Sequence, residues 1–324
     1  MKILFVGDVT ANSGPSNVNK GMVQNLTNYF WRVRSKNKYT KLVESFWKCF
    51  FSDVIVVSGL SRQGMILAGF AKFLGRKVAY IMHGCAEYEV VINRQKGRQK
   101  DLQQEQYLLE KADLLLPVSK RFRSWVCDRY PQYAEKTSYL YNGIDASLQQ
   151  CVEERSKVPG TVAAMGADRL VKNNIVVACA VEKLAGKASL AVYGTIEHGV
   201  PEELKHTVYT GKIPHGDYIE KLEETELYVQ NSIFEPFSIS AVEALLCGCS
   251  LLISENVGVA DLLTLEESDV IHDPMDEQEI QTKIEYLLEH PNNKRLLSGL
   301  DLDACSYEKS VARLEQMCRE LVCK

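Results

Sequence analysis

Short apolar runs alternate with stretches of helical spacing along this 324-residue chain, and that rhythm admits few folds. Residues 2–6 form an apolar run closed by Gly7-Asp8 and the loop Asn12-Ser13-Gly14-Pro15-Ser16, after which Met22, Val23 and Leu26 mark a helix. The unit recurs as strand 53–58, helix 63–74, strand 77–82, helix 103–110 and strand 113–118. Strands this short and this evenly apolar are buried on both faces, as in a parallel sheet covered by helices. One more strand is predicted over 138–141, running into Asn142-Gly143-Ile144-Asp145.

The polar stretch 149–157, followed by Pro159-Gly160, breaks the rhythm, and a domain boundary is expected there. Beyond it the pattern restarts with strands at 161–165, 189–193, 207–210, 226–230, 250–254 and 269–271, a second doubly wound α/β unit. Val311, Leu314, Cys318 and Leu321 then step by three, four and three, which marks an amphipathic helix over 306–323. The expected domains are 1–150 and 151–304, with helix 305–324 packing back toward the first.

Composition removes several classes. No apolar run reaches the roughly 18 residues of a membrane span, and the first residues are too short an apolar run for a secretory signal. The ten cysteines are irregularly spaced without a Cys-x-x-Cys pair, which favours reduced, buried thiols and a cytoplasmic chain. The formal charge of -4 conceals an asymmetry: residues 1–150 hold 22 Lys and Arg against 12 Asp and Glu, and the remainder 16 against 30. Basic residues gather at Arg32, Arg34, Lys36, Lys38 and Lys41 beside Tyr29, Phe30 and Trp31, and again at Arg94, Lys96, Arg98 and Lys100. This mixture suits an anionic membrane surface met peripherally from the inner face, although a plain solvated face has the same composition. Nucleic acid is not indicated, because no recognition motif accompanies the charge.

The richest stretch is Asn231-Ser-Ile-Phe-Glu235-Pro-Phe-Ser-Ile-Ser-Ala-Val-Glu243-Ala-Leu-Leu-Cys-Gly248, which runs strand, loop, helix. A helix starting near Ser238 or Ser240 would offer free N–H groups to a phosphate, with a carboxylate on either side and Gly248 as C-terminal cap. Ser240-Ala-Val-Glu243 reads equally well as a capping box, in which Glu243 only satisfies the helix start.

Glu235 and Glu243, seven residues apart within Glu-Pro-Phe-Ser and Glu-Ala-Leu-Leu-Cys-Gly, resemble the E-x7-E signature of family 4 retaining glycosyltransferases. The similarity extends through Gly14, His83-Gly84, Ala112-Asp113 to Ser119, Tyr141-Asn142-Gly143-Ile144-Asp145, and Arg169 with Lys172. It implies the GT-B fold, two Rossmann-like doubly wound domains facing each other across a cleft, the first on the acceptor side and the second binding the nucleotide sugar. It also implies roles. Glu235 would approach the donor sugar, Glu243 would bond the ribose, and Phe237, Ser238 and Ile239 would present backbone N–H groups. Arg169 and Lys172 would neutralise the diphosphate, Gly14 would admit the phosphates, and His83 would contact the sugar. The implied activity is retaining transfer from a nucleotide diphosphate sugar, UDP-linked by preference, to a glycan or lipid-linked saccharide acceptor in polysaccharide or glycoconjugate synthesis. No metal or other cofactor is expected.

The chain departs from the family pattern in places. Glu-Gly-Phe-Gly is here Glu235-Pro236-Phe237-Ser238, the usual Gly-Gly of the first loop is Ser13-Gly14, and the usual strands between the first helix and Asp53 are missing. A dinucleotide oxidoreductase would need Gly-x-Gly-x-x-Gly after the first strand, which Gly7 and Gly14 do not supply. The one Asp-x-Asp, Asp301 and Asp303, falls between two helices, where it reads as a cap instead of a metal site. The remaining alternative is a non-catalytic GT-B binding subunit or chaperone of a partner transferase.

Overall fold

The structure is a computed structural model and describes residues 1–324 apart from 12, 36, 146–155, 201–202 and 324, together with the side chain of Lys38. Most of the expected boundary stretch, along with Asn12, Lys36 and Cys151, lies outside the described residues. The chain divides into two compact units, 1–145 with 303–324, and 146–302.

The first unit runs β1 (Ile3–Gly7), α1 (Gly14–Gln24), β2 (Phe30–Arg32), α2 (Lys38–Phe50), β3 (Val54–Ser58), α3 (Arg62–Phe73), β4 (Lys77–Met82), α4 (Ala86–Ile92), α5 (Gln99–Lys111), β5 (Leu114–Pro117) and α6 (Lys120–Arg129). Its strands are parallel in the order β2-β1-β3-β4-β5. Ile3, Leu4, Val54–Val57, Val78 and Ala79 are at most 1% exposed, so the apolar runs are the sheet's covered centre. β2 and α2 occupy the interval in which the sequence shows no strand. A three-residue strand ending in the exposed Arg32 carries no apolar run to find.

The strand expected at 138–141 does not form. Ser138 and Leu140 donate backbone bonds of 2.9 and 3.0 Å to Leu115 and Pro117, but the next bridge needs an N–H from residue 117, which proline lacks, so pairing stops at one bridge.

The second unit runs β6 (Val158–Met165), α7 (Asn174–Glu182), β7 (Ser189–Tyr193), β8 (Thr207–Gly211), α8 (His215–Glu224), β9 (Thr225–Gln230), α9 (Ile239–Leu246), β10 (Ser250–Ser254), β11 (Val270–Ile271), α10 (Glu277–Glu289) and α11 (Asn293–Gly299). Its parallel sheet has the order β11-β10-β9-β6-β7-β8. The crossover of order around β6 and β9 is the doubly wound arrangement, and it leaves the loops after both strands side by side at one sheet edge.

The last helix, α12 (Tyr307–Cys323), belongs to the first unit. Its stripe of Val311, Leu314, Cys318 and Leu321 is buried. Ser310 Oγ donates to the Tyr141 carbonyl at 2.8 Å, Thr27 Oγ1 to Glu315 at 2.6 Å, and Arg319 stacks over Tyr29. Cys49, Cys85, Cys247, Cys249, Cys305 and Cys318 are buried as expected, whereas Cys127 and Cys179 are only half-buried and Cys323 is exposed because the helix ends there in solvent.

Candidate functional site

In the second unit the site grows from two loops. After β6 the chain turns through Gly166 (φ +111°), where the stem of Lys172 lies so close that a Cβ would collide with it. Arg169 then caps a single 3-10 turn, Leu170–Lys172. Asp168 ties this turn to the loop after β7, accepting backbone bonds from Glu197 at 2.9 Å and Gly199 at 3.0 Å and another from His198.

The second loop follows β9. Ile233 donates to the Val171 carbonyl at 2.9 Å, which fastens this loop to the 3-10 turn. Beyond it the loop runs beside residues 256–259: Gly258 donates to Glu235 O at 2.9 Å and Val259 to Phe237 O at 2.8 Å. Phe237, 2% exposed, anchors the turn. These fastenings bring Lys172 and Glu235 into an ion pair, with side chains 15% and 12% exposed. Two opposite charges so nearly removed from water stabilise each other strongly, and each is costly if left alone.

α9 begins at Ile239 with Ser238 as its N-cap, so Ser240 is the second helical residue and the capping box does not form. Ser240 Oγ lies 2.8 Å from Tyr228 OH, and the Glu243 carboxylate meets His215 Nε2 at 2.8 Å. The helix start therefore has no side-chain cap, and its first N–H groups have no partner within the helix. Ser238 turns its hydroxyl inward, donating to Gln230 Oε1 at 3.1 Å. Gly248, at φ +81°, ends the helix as a left-handed cap.

Ser238 stands at φ +80°, a region that favours glycine. Ala167 (φ +46°) and Asn173 (φ +54°) flank the 3-10 turn. Three of the five described non-glycine residues with positive φ thus border the Lys172–Glu235 pair, and backbone strain of this kind gathers where a site needs a fixed shape.

In the first unit, Gly14 is the first residue of α1 and not a loop residue, with Ser13 Oγ accepting from Ser16 N at 3.4 Å. Its φ is ordinary and a Cβ there would meet nothing within 4 Å, so the fold itself does not require glycine. His83 follows β4 at the C-terminal edge of the sheet. Its Nε2 lies 2.9 Å from Ser58 Oγ, which donates at 2.6 Å to Asn19 Oδ1, while Asn19 Nδ2 donates at 2.9 Å to the Asp8 carbonyl.

That chain of bonds assigns the imidazole tautomer. The Asp8 carbonyl can only accept, so the Asn19 amide orientation is fixed and Ser58 spends its one proton on Oδ1. Ser58 then accepts from Nε2–H, leaving Nδ1 as a bare acceptor; it is buried without a hydrogen-bond partner. Burial pulls the His83 pKa down to about 4, and the Asn142 side chain opposes this without completing a bond to Nδ1. The ring is neutral near pH 7.

Of the other motif residues, Asp113 serves the fold by accepting from Val78 N at 2.8 Å and Lys72 at 2.7 Å, and Ser119 caps α6 through Phe122 N at 3.0 Å. His215, Asp168, Ser58 and Asn19 were not expected from the sequence. No motif marks them; a lone histidine 28 residues from its carboxylate has no local signature.

Residues 165–298 match the family model described as "Glycosyl transferases group 1". No curated protein sequence matches the chain. Among solved structures, Anabaena Alr3699/HepE in complex with UDP and glucose superposes with a TM-score of 0.69 at 16% identity, covering 99% of this chain and 98% of that one. Sucrose-phosphate synthase from Thermosynechococcus elongatus gives 0.69 at 16% identity, with 99% of both chains covered. A UDP-forming α,α-trehalose-phosphate synthase from Burkholderia xenovorans gives 0.60 at 12%, covering 89% and 80%. The fold is GT-B, α/β with two Rossmann-like units, and the match over the site-bearing residues supports a glycosyltransferase.

Proposed function

We propose that the chain is a family 4-like retaining glycosyltransferase that takes a sugar from a UDP-linked donor and adds it to a glycan or lipid-linked saccharide in polysaccharide or glycoconjugate synthesis, without a metal. The observation that carries the reading is the Lys172–Glu235 pair beside the uncapped start of α9. A cation and a set of oriented N–H groups are what a departing diphosphate needs, since charge that develops in the transition state is best met by groups already in place. That the HepE structures hold UDP and UDP-glucose supports UDP as the nucleotide.

In this reading Lys172 and Arg169 neutralise the diphosphate, and Phe237, Ser238 and Ile239 offer it backbone N–H groups. Glu235 approaches the sugar. Glu243, oriented by His215, bonds the ribose hydroxyls. In the first unit, Gly14 leaves room for a phosphate oxygen and His83, at the C-terminal edge of the sheet, contacts the sugar. During transfer the bond between the anomeric carbon and the diphosphate oxygen breaks, the acceptor oxygen bonds the same face, and its proton passes to the leaving phosphate.

A thermal-shift screen of UDP, UDP-glucose and other nucleotides tests the donor site, because a ligand that binds only the folded chain raises its melting temperature. A rise with a uridine nucleotide that is lost in Lys172→Ala is expected. Absence of a shift with every nucleotide would sink the reading. Release of UDP by the purified chain with acceptor present separates an enzyme from a binding subunit.

A further inference from the structure

Six of the 19 exposed large hydrophobic residues among those described fall within thirteen positions, on α2 and the residue after it: Tyr39, Leu42, Val43, Trp47, Phe50 and Phe51. Tyr39, Val43 and Trp47 are 78%, 70% and 56% exposed and lie at steps of four, so they form one stripe along the helix. The inward face carries small groups beside one ring, the half-buried Phe46, which packs edge-on against Phe70 of α3 at 4.8 Å. Ser45, Cys49 and Ser52 are fully buried, and Ser45 Oγ accepts from Gln63 at 2.8 Å. Most of the aromatic groups of this helix therefore face solvent and not the core.

The stripe is continuous. Trp31 stacks on Trp47 at 5.9 Å, Trp47 meets Phe51 at 5.2 Å, and Phe51 meets Phe50 at 5.1 Å. Scattered surface hydrophobics need no explanation, whereas a contiguous patch marks a surface that something covers.

Charge identifies the occupant. Residues 31–50 contain six Lys and Arg and a single acid, Glu44. That acid is already used: its carboxylate accepts from Lys48 at 2.6 Å, Ser35 N at 2.8 Å and Arg34 N at 3.0 Å. Exposed Arg32 and Arg34 make no side-chain ion pair among the described residues. A second copy laid on the same face would set two such cationic segments against each other, which disfavours a symmetric dimer. An aromatic stripe about 20 Å long, flanked by cations, has the form of a helix lying in the plane of an anionic lipid interface.

We infer that the outward face of α2, with Tyr39, Val43, Trp47 and Phe51 as its inserted groups and Arg32, Arg34 and Lys41 as its headgroup contacts, docks the first unit onto an anionic membrane. The first turn of that helix lies beside the loop after β1: Asp8, held low chiefly by hydrogen bonds from Thr10, also feels Lys41. The docked face thus adjoins the C-terminal edge of the sheet, where α/β folds bind ligands. The inference gives a place to the lipid-linked acceptor proposed above, and it stands or falls separately from donor binding.

The full chain is mixed with vesicles of phosphatidylcholine alone and of phosphatidylcholine with phosphatidylglycerol, and sedimented. Binding to the anionic vesicles only is expected, with tryptophan emission shifted to the blue. Val43→Asp with Trp47→Asp should lower the partition coefficient about tenfold or more while leaving the UDP-induced thermal shift and the circular dichroism spectrum intact. Equal binding to both vesicle types, no binding, or an unchanged partition in the double variant would overturn the inference. So would a concentration-dependent dimer, seen by sedimentation velocity, that the same variant abolishes.

Discussion

Ser58 Oγ stands 2.9 Å from His83 Nε2 and has no proton to give it, because that proton is committed to Asn19 at 2.6 Å. Replacing Ser58 with alanine removes the acceptor for Nε2–H. Nitrogen-15 spectra should then show the His83 ring losing its single tautomer, with stability falling by about 1–3 kcal/mol for the buried donor left unpaired. An unchanged ring spectrum would contradict the bonding pattern.

His83 also couples stability to pH. Its pKa is about 4 in the folded chain and near 6.5 when unfolded, so between those values the unfolded state binds more protons and acid favours unfolding. This contribution is complete above about pH 6.5, declines as pH falls, and is exhausted near pH 4, a total of about 3 kcal/mol. Urea unfolding of the wild type and of His83→Gln at pH 7 and pH 4.5 measures it. The variant should lose less stability on acidification.

Lys172→Ala leaves the Glu235 carboxylate mostly buried without its partner, and a loss of roughly 3 kcal/mol is expected. Lys172→Ala with Glu235→Gln should recover part of that stability while turnover stays roughly 100-fold or more below the wild type. Melting curves and UDP release separate the two effects. Full recovery of turnover in the double variant would remove Lys172 from the chemistry.

At Ser238 two terms oppose each other. Glycine would relieve the φ of +80° but forfeit the 3.1 Å bond to Gln230, which still has Tyr228 OH at 2.9 Å. Alanine forfeits the same bond without the relief. Ser238→Gly should therefore be about 1 kcal/mol more stable than Ser238→Ala, and chemical unfolding of the pair isolates the backbone term. Equal stabilities would mean that no strain is stored there.

How much could be read beforehand depended on whether the signal was local. Strands such as Val54–Ser58, Ser189–Tyr193 and Ser250–Ser254 were legible because a strand covered on both faces must be apolar throughout. Phe30–Arg32 was not, being an edge strand of three residues with a charged end, and 138–141 has the apolar run of a strand but lies beside Pro117, whose missing N–H ends the ladder. The serine and glutamate of the supposed capping box were correctly spaced. Their side chains found Tyr228 and His215, partners that no spacing rule within α9 could name.

The sequence by itself determined the α/β class, the run of strands and helices in each half and the segment around Glu235, because period, turn residues and apolar length act over a few neighbouring residues. Only the tertiary structure decided that Lys172 meets Glu235 across 63 residues, that His83 is held in one tautomer by Asn19 and Ser58, and that α2 turns its aromatic face to solvent. Those outcomes depend on where the chain's path delivers each side chain, and a carboxylate or an imidazole takes whichever partner the completed fold places within reach.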